Sequence, residues 1–258
     1  MQQLCPQTGP RLTAAGFRHG FFGRVGGHSR GAYSSLNCSY SVEDEADNVT
    51  LNLTRIANYF GLPTERLATV CQVHGCEVVN ADEALDLSAL RERQADALFA
   101  TRDDCALSVR TADCIPILVG CRATGAAAAI HAGWRGIVAR VVPKAISHLL
   151  SKGARPDALI VGIGPHIRAA AFEVSVDVAA ALEASSPGSG AVDANMGTRP
   201  HVHLGRLVLA QLEELGIYSD QVDDLGSCTF TNQQEYFSYR RDGRISGRQL
   251  SSICPLPR

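Results

Sequence analysis

Three short apolar segments in the middle of the chain, residues 106–110, 115–119 and 126–130, constrain its fold more than any other feature. Each is bounded by Gly, Asp or Thr and is too short for a stable helix, so each predicts a buried strand. A fourth such segment, 159–163, runs into Gly164-Pro165. Between them Ile137, Val138, Val141, Val142, Ala145, Ile146, Leu149 and Leu150 recur at i, i+3, i+4 spacing, which predicts a helix packed on the sheet. Pro143 limits that helix, because a residue without an N–H must sit in the first turn or kink the axis. The result is a mixed α/β pattern of the α+β kind.

The flanks add detail. Acidic residues followed by Val49, Leu53, Ile56, Ala57 and Phe60 predict a helix over about 44–59, ended by Gly61-Leu62-Pro63. The first forty residues, rich in Gly, Ser and Arg, read as short strands joined by loops, with Gly23-Arg24-Val25-Gly26-Gly27-His28-Ser29 as the tightest turn. Helices are expected over 175–184 and 203–215, with 185–190 between them as a lid or a connector. The tail from Cys228 reads as aromatic, basic and loop-like. No repeat or low-complexity linker marks a boundary, so 258 residues are expected to form a single domain.

A formal net charge of -2 gives no global pull towards nucleic acid or an anionic membrane, so an anion must be caught by local donors. Small ligands fit better than polymers. The N-terminus lacks a basic region followed by an apolar run, and no stretch approaches the roughly 18 apolar residues of a membrane span, so a cytoplasmic protein is expected. Nine cysteines, odd in number and without a C-x-x-C pair, argue against a disulfide framework and a zinc ribbon.

Three strings carry the chemistry: Gln72-Val73-His74-Gly75, Thr111-Ala112-Asp113-Cys114-Ile115-Pro116 and His131-Ala132-Gly133-Trp134-Arg135-Gly136. Each puts a soft or borderline metal ligand at a strand end. On one reading His74, Cys114 and His131 converge on zinc and leave the fourth tetrahedral position open for water or substrate. On the other, Cys114 is a core cysteine and the histidines are satisfied polar residues. Neither H-E-x-x-H nor the nucleobase-deaminase pattern is present, and spacing alone leaves both readings open.

These strings, together with Phe21-Phe22-Gly23-Arg24-Val25-Gly26-Gly27, Ser35-Leu36-Asn37, Ile163-Gly164-Pro165 and Phe237-Ser238-Tyr239-Arg240-Arg241, resemble the YfiH-type, or laccase-domain, family over nearly the whole chain. The most specific are T-A-D-C-x-P and H-A-G-W-R-G. The resemblance implies a single domain with sheets sandwiched between helices, a four-layer αββα arrangement, and a metal on His74, Cys114 and His131. It also implies purine nucleoside phosphorylase activity on adenosine, inosine and methylthioadenosine, with an accompanying adenosine deaminase activity. Purine nucleosides and inorganic phosphate are then the partners, and a monomer or weak homodimer is expected. The chain departs from the family's usual pattern at Gly23, Cys76 and His166, none of them a proposed ligand.

Under that activity, Asp113 is either a proton shuttle beside Cys114 or a turn residue. Arg24, Gly27, Ser29 and Asn37 either cradle phosphate or merely build a hairpin loop. Trp134 packs on the purine or in the core, and Arg135 pairs with phosphate or a carboxylate. Arg240 and Arg241 carry no assigned role beyond ion pairing. Two rival chemistries use the same residues. A copper polyphenol oxidase would take the His₂Cys set plus His201-Val202-His203, although eight histidines are few for several copper centres. A metal-free cysteine hydrolase would use Cys114 as nucleophile with His131 or His74 as base.

Overall fold

The computed structural model describes residues 3–257. Twelve strands follow in order: β1 His19–Phe21, β2 Leu67–Ala68, β3 Val78–Asn80, β4 Ala97–Ala100, β5 Ala106–Thr111, β6 Ile115–Cys121, β7 Ala127–Ala132, β8 Leu159–Ile163, β9 Val192–Asp193, β10 His201–Val202, β11 Val222–Asp224 and β12 Gln249–Ile253. The helices are α1 Pro10–Ala14, α2 Ala46–Tyr59, α3 Trp134–Val138, α4 Val141–Ser151, α5 Val176–Ser185, α6 Leu204–Glu213 and α7 Tyr239–Asp242. A six-stranded sheet runs β11-β8-β6-β7-β4-β3 and a four-stranded sheet runs β1-β12-β5-β2. The four segments read as buried strands are β5, β6, β7 and β8.

Strand residues alternate between faces. In β6, Ile115, Ile117 and Val119 join a core with Ile137, Ile146, Leu149, Leu182 and Leu207 of the helices α3 to α6, a stripe that wraps one face of the larger sheet. Leu118 points the other way, into a core shared with Leu107 and Val109 of β5 and Ile253 of β12. Leu250 and Ala106 then meet Val49, Leu53 and Ile56 of α2. The molecule is thus a mixed α/β domain whose central strands, β6, β7 and β8 among them, bury both of their faces. Among the described residues no helix is long and apolar enough to cross a membrane.

Several expectations change. The single helix over 137–150 is two: Arg140 adopts a left-handed φ of 65° between α3 and α4. The break lets Pro143 fall in the first turn of α4, where its missing N–H costs nothing. The N-terminal region contains α1 as well as β1, and the tail contributes β12, a central strand of the smaller sheet. Its Ser251 and Ser252 are buried, and Ser252 Oγ lies 2.8 Å from Ser108 Oγ across the pair, so polar residues hide a strand that apolar patterning cannot find.

Candidate functional site

The segment entering β6, the end of β7 and the loop before β3 meet at one point. Nitrogen donors of His74 and His131 and the sulfur of Cys114 all lie within 4.8 Å of one another. The two imidazole rings cross at 79° with centroids 4.9 Å apart. This set is close enough to share a metal ion, and two imidazoles with one thiolate leave a fourth tetrahedral position for water or substrate.

Local structure explains the convergence. His74 and Asp113, neither of them glycine, hold positive φ angles of 60° and 92°, which turns both chain segments sharply beside the ligands. Gly133 leaves room for them, since a Cβ there would sit 3.0 Å from both Cys114 Sγ and His74 Cδ2. Asp96, fully buried at the start of β4, ties the ligands together. Its carboxylate accepts from the backbone N–H groups of Val73, His74 and Gly75 at 3.3, 2.9 and 2.6 Å, and from His131 Nδ1 at 2.7 Å. An ionised Asp96 therefore fixes the tautomer of His131 and leaves Nε2 as the free donor.

The charges follow the geometry. Burial works against an ionised Asp96, but the hydrogen bond and charge of His131 and the loop amides outweigh it and hold the carboxyl below its usual range. Burial likewise opposes a Cys114 thiolate, yet His131 and His74 bring the thiol down to about 6. Burial also opposes an imidazolium at His131, which Cys114 and Asp96 nonetheless push up to about 9. Without a metal, thiolate and imidazolium thus balance each other.

The site opens on a cavity of about 910 Å³ whose wall includes Trp134, Arg135, Asp113, Phe172, Tyr239 and Arg240. Asp113 faces it, but its oxygens accept from Thr229 Oγ1 and the Arg240 backbone N–H, both at 2.6 Å; the carboxylate on His131 is that of Asp96. Arg135 stacks on Trp134 with its guanidinium 4.4 Å from the ring centroid. Sequence reasoning passed over Asp96, whose one signal was an acidic residue heading the apolar run Ala97-Leu98-Phe99-Ala100.

The structure does not bring the glycine turn to this cavity. Asn52, on α2, gathers it in: Oδ1 accepts from His28 N–H at 2.7 Å, and Nδ2 donates to Ser29 Oγ and the Asn37 carbonyl, both at 2.8 Å. Ser29 Oγ and Asn37 Nδ2 also donate to Asp44, at 2.7 and 2.8 Å. A Cβ on Gly27 would lie 2.1 Å from the Ser35 carbonyl oxygen. Arg24 donates to the carbonyls of Ser34, Gln233 and Ala32 and covers Phe237, so three of its five N–H groups are committed to backbone. Arg241 braces the carbonyls of Thr229, Phe230 and Tyr236. His166 is buried, with Nδ1 at 2.8 Å from the Gly164 carbonyl, and burial pulls its pKa down to about 4. His201 and His203 stand apart from the cluster: His201 Nδ1 bonds the Ala169 carbonyl at 2.7 Å, and His203 caps α6. Residues 185–190 do not line the cavity.

With the geometry in view, comparison with known proteins places the chain. Residues 18–255 match the family described as multi-copper polyphenol oxidoreductase laccase. The chain belongs to this YfiH-type, laccase-domain family. Among its relatives, a purine nucleoside phosphorylase of Deinococcus radiodurans is 33% identical over 243 residues, 93% of this chain and 89% of that protein. The purine nucleoside phosphorylase SCO2081 of Streptomyces coelicolor is 35% identical, covering 93% of this chain and 97% of its own length. The crystal structure of Neisseria meningitidis protein NMB0706 superposes with a TM-score of 0.85 at 33% identity, over 99% of this chain and 100% of that one. YlmD from Geobacillus stearothermophilus shares the fold, with a TM-score of 0.90 at 24% identity over 99% of this chain and 97% of its own.

Proposed function

We propose that this laccase-domain protein is a zinc-dependent purine nucleoside phosphorylase that converts adenosine, inosine or methylthioadenosine to free base and ribose 1-phosphate, with an accompanying adenosine deaminase activity. The observation that carries this reading is the convergence of His74, Cys114 and His131 on the wall of a large cavity, in a family whose relatives are named for phosphorolysis. Two imidazoles and a thiolate suit zinc, and a Gly133 without a side chain leaves them room. When bound, zinc supplies Lewis-acid chemistry at its open position.

The chain's own residues supply the rest. Asp96 holds His131 in one tautomer and the His74 loop in one conformation, so both imidazoles would be held ready for a metal. Trp134 offers a flat apolar wall to the purine, and Arg135 a planar donor fork to phosphate. In phosphorolysis a phosphate oxygen bonds C1′ as the C1′–N9 bond breaks, and the electron pair leaves with the base. In deamination water adds at C6 and ammonia departs. Asp113 joins α7 to the ligand loop through the Arg240 amide, and Arg24, Gly27, Ser29 and Asn37 build the frame behind the wall.

Three further readings belong to the same proposal. The described residues form one domain, and the three apolar cores support four layers in the order α, β, β, α. Nine unpaired cysteines fit a cytoplasmic enzyme, working as a monomer or weak homodimer. Copper in place of zinc is the alternative metal.

A second chemistry is favoured by one observation: Cys114, His131 and Asp96 form a hydrogen-bonded chain in which the thiol is acidic, the pattern of a cysteine hydrolase. A chromatographic product assay with adenosine and inosine separates the two. Phosphate-dependent release of adenine or hypoxanthine that chelators abolish supports the zinc enzyme. Activity indifferent to chelators and destroyed by alkylation of the metal-free protein supports the hydrolase.

A further inference from the structure

Lysine is nearly missing from this chain. Of its 24 basic side chains only Lys144 and Lys152 are lysine, and the rest are arginine. The two types differ chemically, because a guanidinium stays protonated and is no nucleophile, whereas a lysine ammonium can release a proton and react as an amine. Lys144, on α4, has a sulfur beside it. Its Nζ lies 2.9 Å from Cys76 Sγ and 3.5 Å from Glu77 Oε1.

The backbone on each side fixes where the pair sits. Cys76 follows the loop whose amides Asp96 gathers, the last of them Gly75 N–H at 2.6 Å. The Glu77 carbonyl accepts from the N–H groups of Asp96 and Ala97 at 2.9 and 3.2 Å, so the chain just after Cys76 is pinned to the start of β4. Helix α4 packs against β3, and the Lys144 N–H donates to the Arg140 carbonyl at 3.1 Å in the first turn of that helix. A recess of about 370 Å³ opens beside the pair, walled also by Val78, Pro143, Ser147 and His148. It shares no lining residue with the cavity at the metal ligands. Cys76 is half-buried and the Lys144 side chain is 48% exposed, so a small solute reaches both.

We propose that Cys76 and Lys144 are a redox modification site: on meeting a peroxide they join through a reversible sulfenamide that ties the His74 loop to α4. Peroxide gives one oxygen to the thiol, which becomes a sulfenic acid, and its other oxygen leaves as water. The Lys144 amine, having released a proton to solvent, then attacks that sulfur. An S–N bond forms, the S–O bond breaks, and the sulfenic oxygen departs as water with a hydrogen from the amine. Sulfenic acids condense in this way with a nitrogen held beside them, and here the nitrogen is already in contact with the sulfur. The sulfur is oxidised and the peroxide reduced. A pair of small thiols reverses the link, restoring thiol and amine and leaving as their own disulfide. None of this uses the nucleoside cavity, so it stands or falls apart from the phosphorylase reading.

Peptide mapping by mass spectrometry, after mild treatment of the purified, reduced protein with hydrogen peroxide, tests this in wild type, Cys76→Ser and Lys144→Arg. Wild type is expected to give a tryptic species that joins the Cys76 and Lys144 segments and is uncut after Lys144. It should be lighter than its reduced components by two hydrogen atoms and should come apart in dithiothreitol. Neither variant should form it. Lys144→Arg keeps the positive charge without the amine, so its Cys76 sulfenic acid should persist and take up dimedone at least about tenfold more than in wild type. The link closes the chain over 76–144, so peroxide should raise the melting temperature of wild type by about 5 °C, reversibly, and not that of Lys144→Arg. Absence of the joined species from wild type, a link to Lys152 in its place, or equal dimedone uptake in wild type and Lys144→Arg overturns the site. A joined protein that melts no higher than the reduced one overturns the tether.

Discussion

Two polar nets in this molecule are built alike and used differently. Around Cys114, Asp96 gathers three loop amides and one imidazole; around Gly27, Asn52 gathers an amide, a hydroxyl and a carbonyl. The first net is left with donor atoms on the cavity, while the second closes on itself, with Ser29 and Asn37 buried. The contrast shows that polar residue types do not make a site. What matters is whether the residue that satisfies them leaves one valence directed at open space.

The sharpest way to break that contrast is with the two cysteines at its poles. Cys114 is held down to about 6, whereas burial pushes Cys38, beside Asn37, up to about 12. In metal-free protein near pH 7, iodoacetamide should therefore label Cys114 faster than Cys38 by at least about a hundredfold, because the thiolate is the nucleophile and the closed net also denies access. The Cys114 rate should rise with pH through a midpoint near 6 and then level off. Equal labelling of the two, read by peptide mass spectrometry, would erase the distinction between the nets.

Asp96→Asn should follow in size. It keeps the shape but loses the negative charge that orients His131, and metal affinity measured by chelator competition should drop about 10–100-fold. Unchanged affinity would make Asp96 a packing residue only. Asn52→Ala should instead leave buried donors and acceptors unpaired at about 1–3 kcal/mol each, lowering thermal stability while metal content per folded chain holds. Selective loss of activity at unchanged stability would reassign the glycine turn to the substrate. A smaller effect is expected of Gly133→Ala, where the new methyl group must displace Cys114 Sγ and His74 by a few tenths of an ångström and loosen the metal without unfolding the chain.

The same contrast explains what could be read from the sequence. Strands β5 to β8 were legible because burial on both faces makes continuous apolar runs, and α2 because its stripe faces one core. Strand β12 was not, since the buried Ser251 and Ser252 interrupt its apolar run and Ser252 meets Ser108 across the ladder. His74, Cys114 and His131 could be named from their strings, but their meeting depends on β6 and β7 pairing so that Ile115 lies opposite Ala132. Asp96 depends on the further pairing of Ala97 with Ile130 and carries no local signature. Arg24, Ser29 and Asn37 had the composition of an anion site, and only the fold shows where their hydrogen bonds go: Ser29 and Asn37 to Asn52 on α2, and Arg24 to the carbonyls of Ser34, Gln233 and Ala32.

Everything chemical rests on three donors sharing one ion. Elemental analysis of the purified protein beside Cys114→Ala addresses this directly: the account predicts about one zinc per wild-type chain, and loss of the metal from the variant with its fold intact. A Cys114→Ala protein that retains stoichiometric zinc would contradict it.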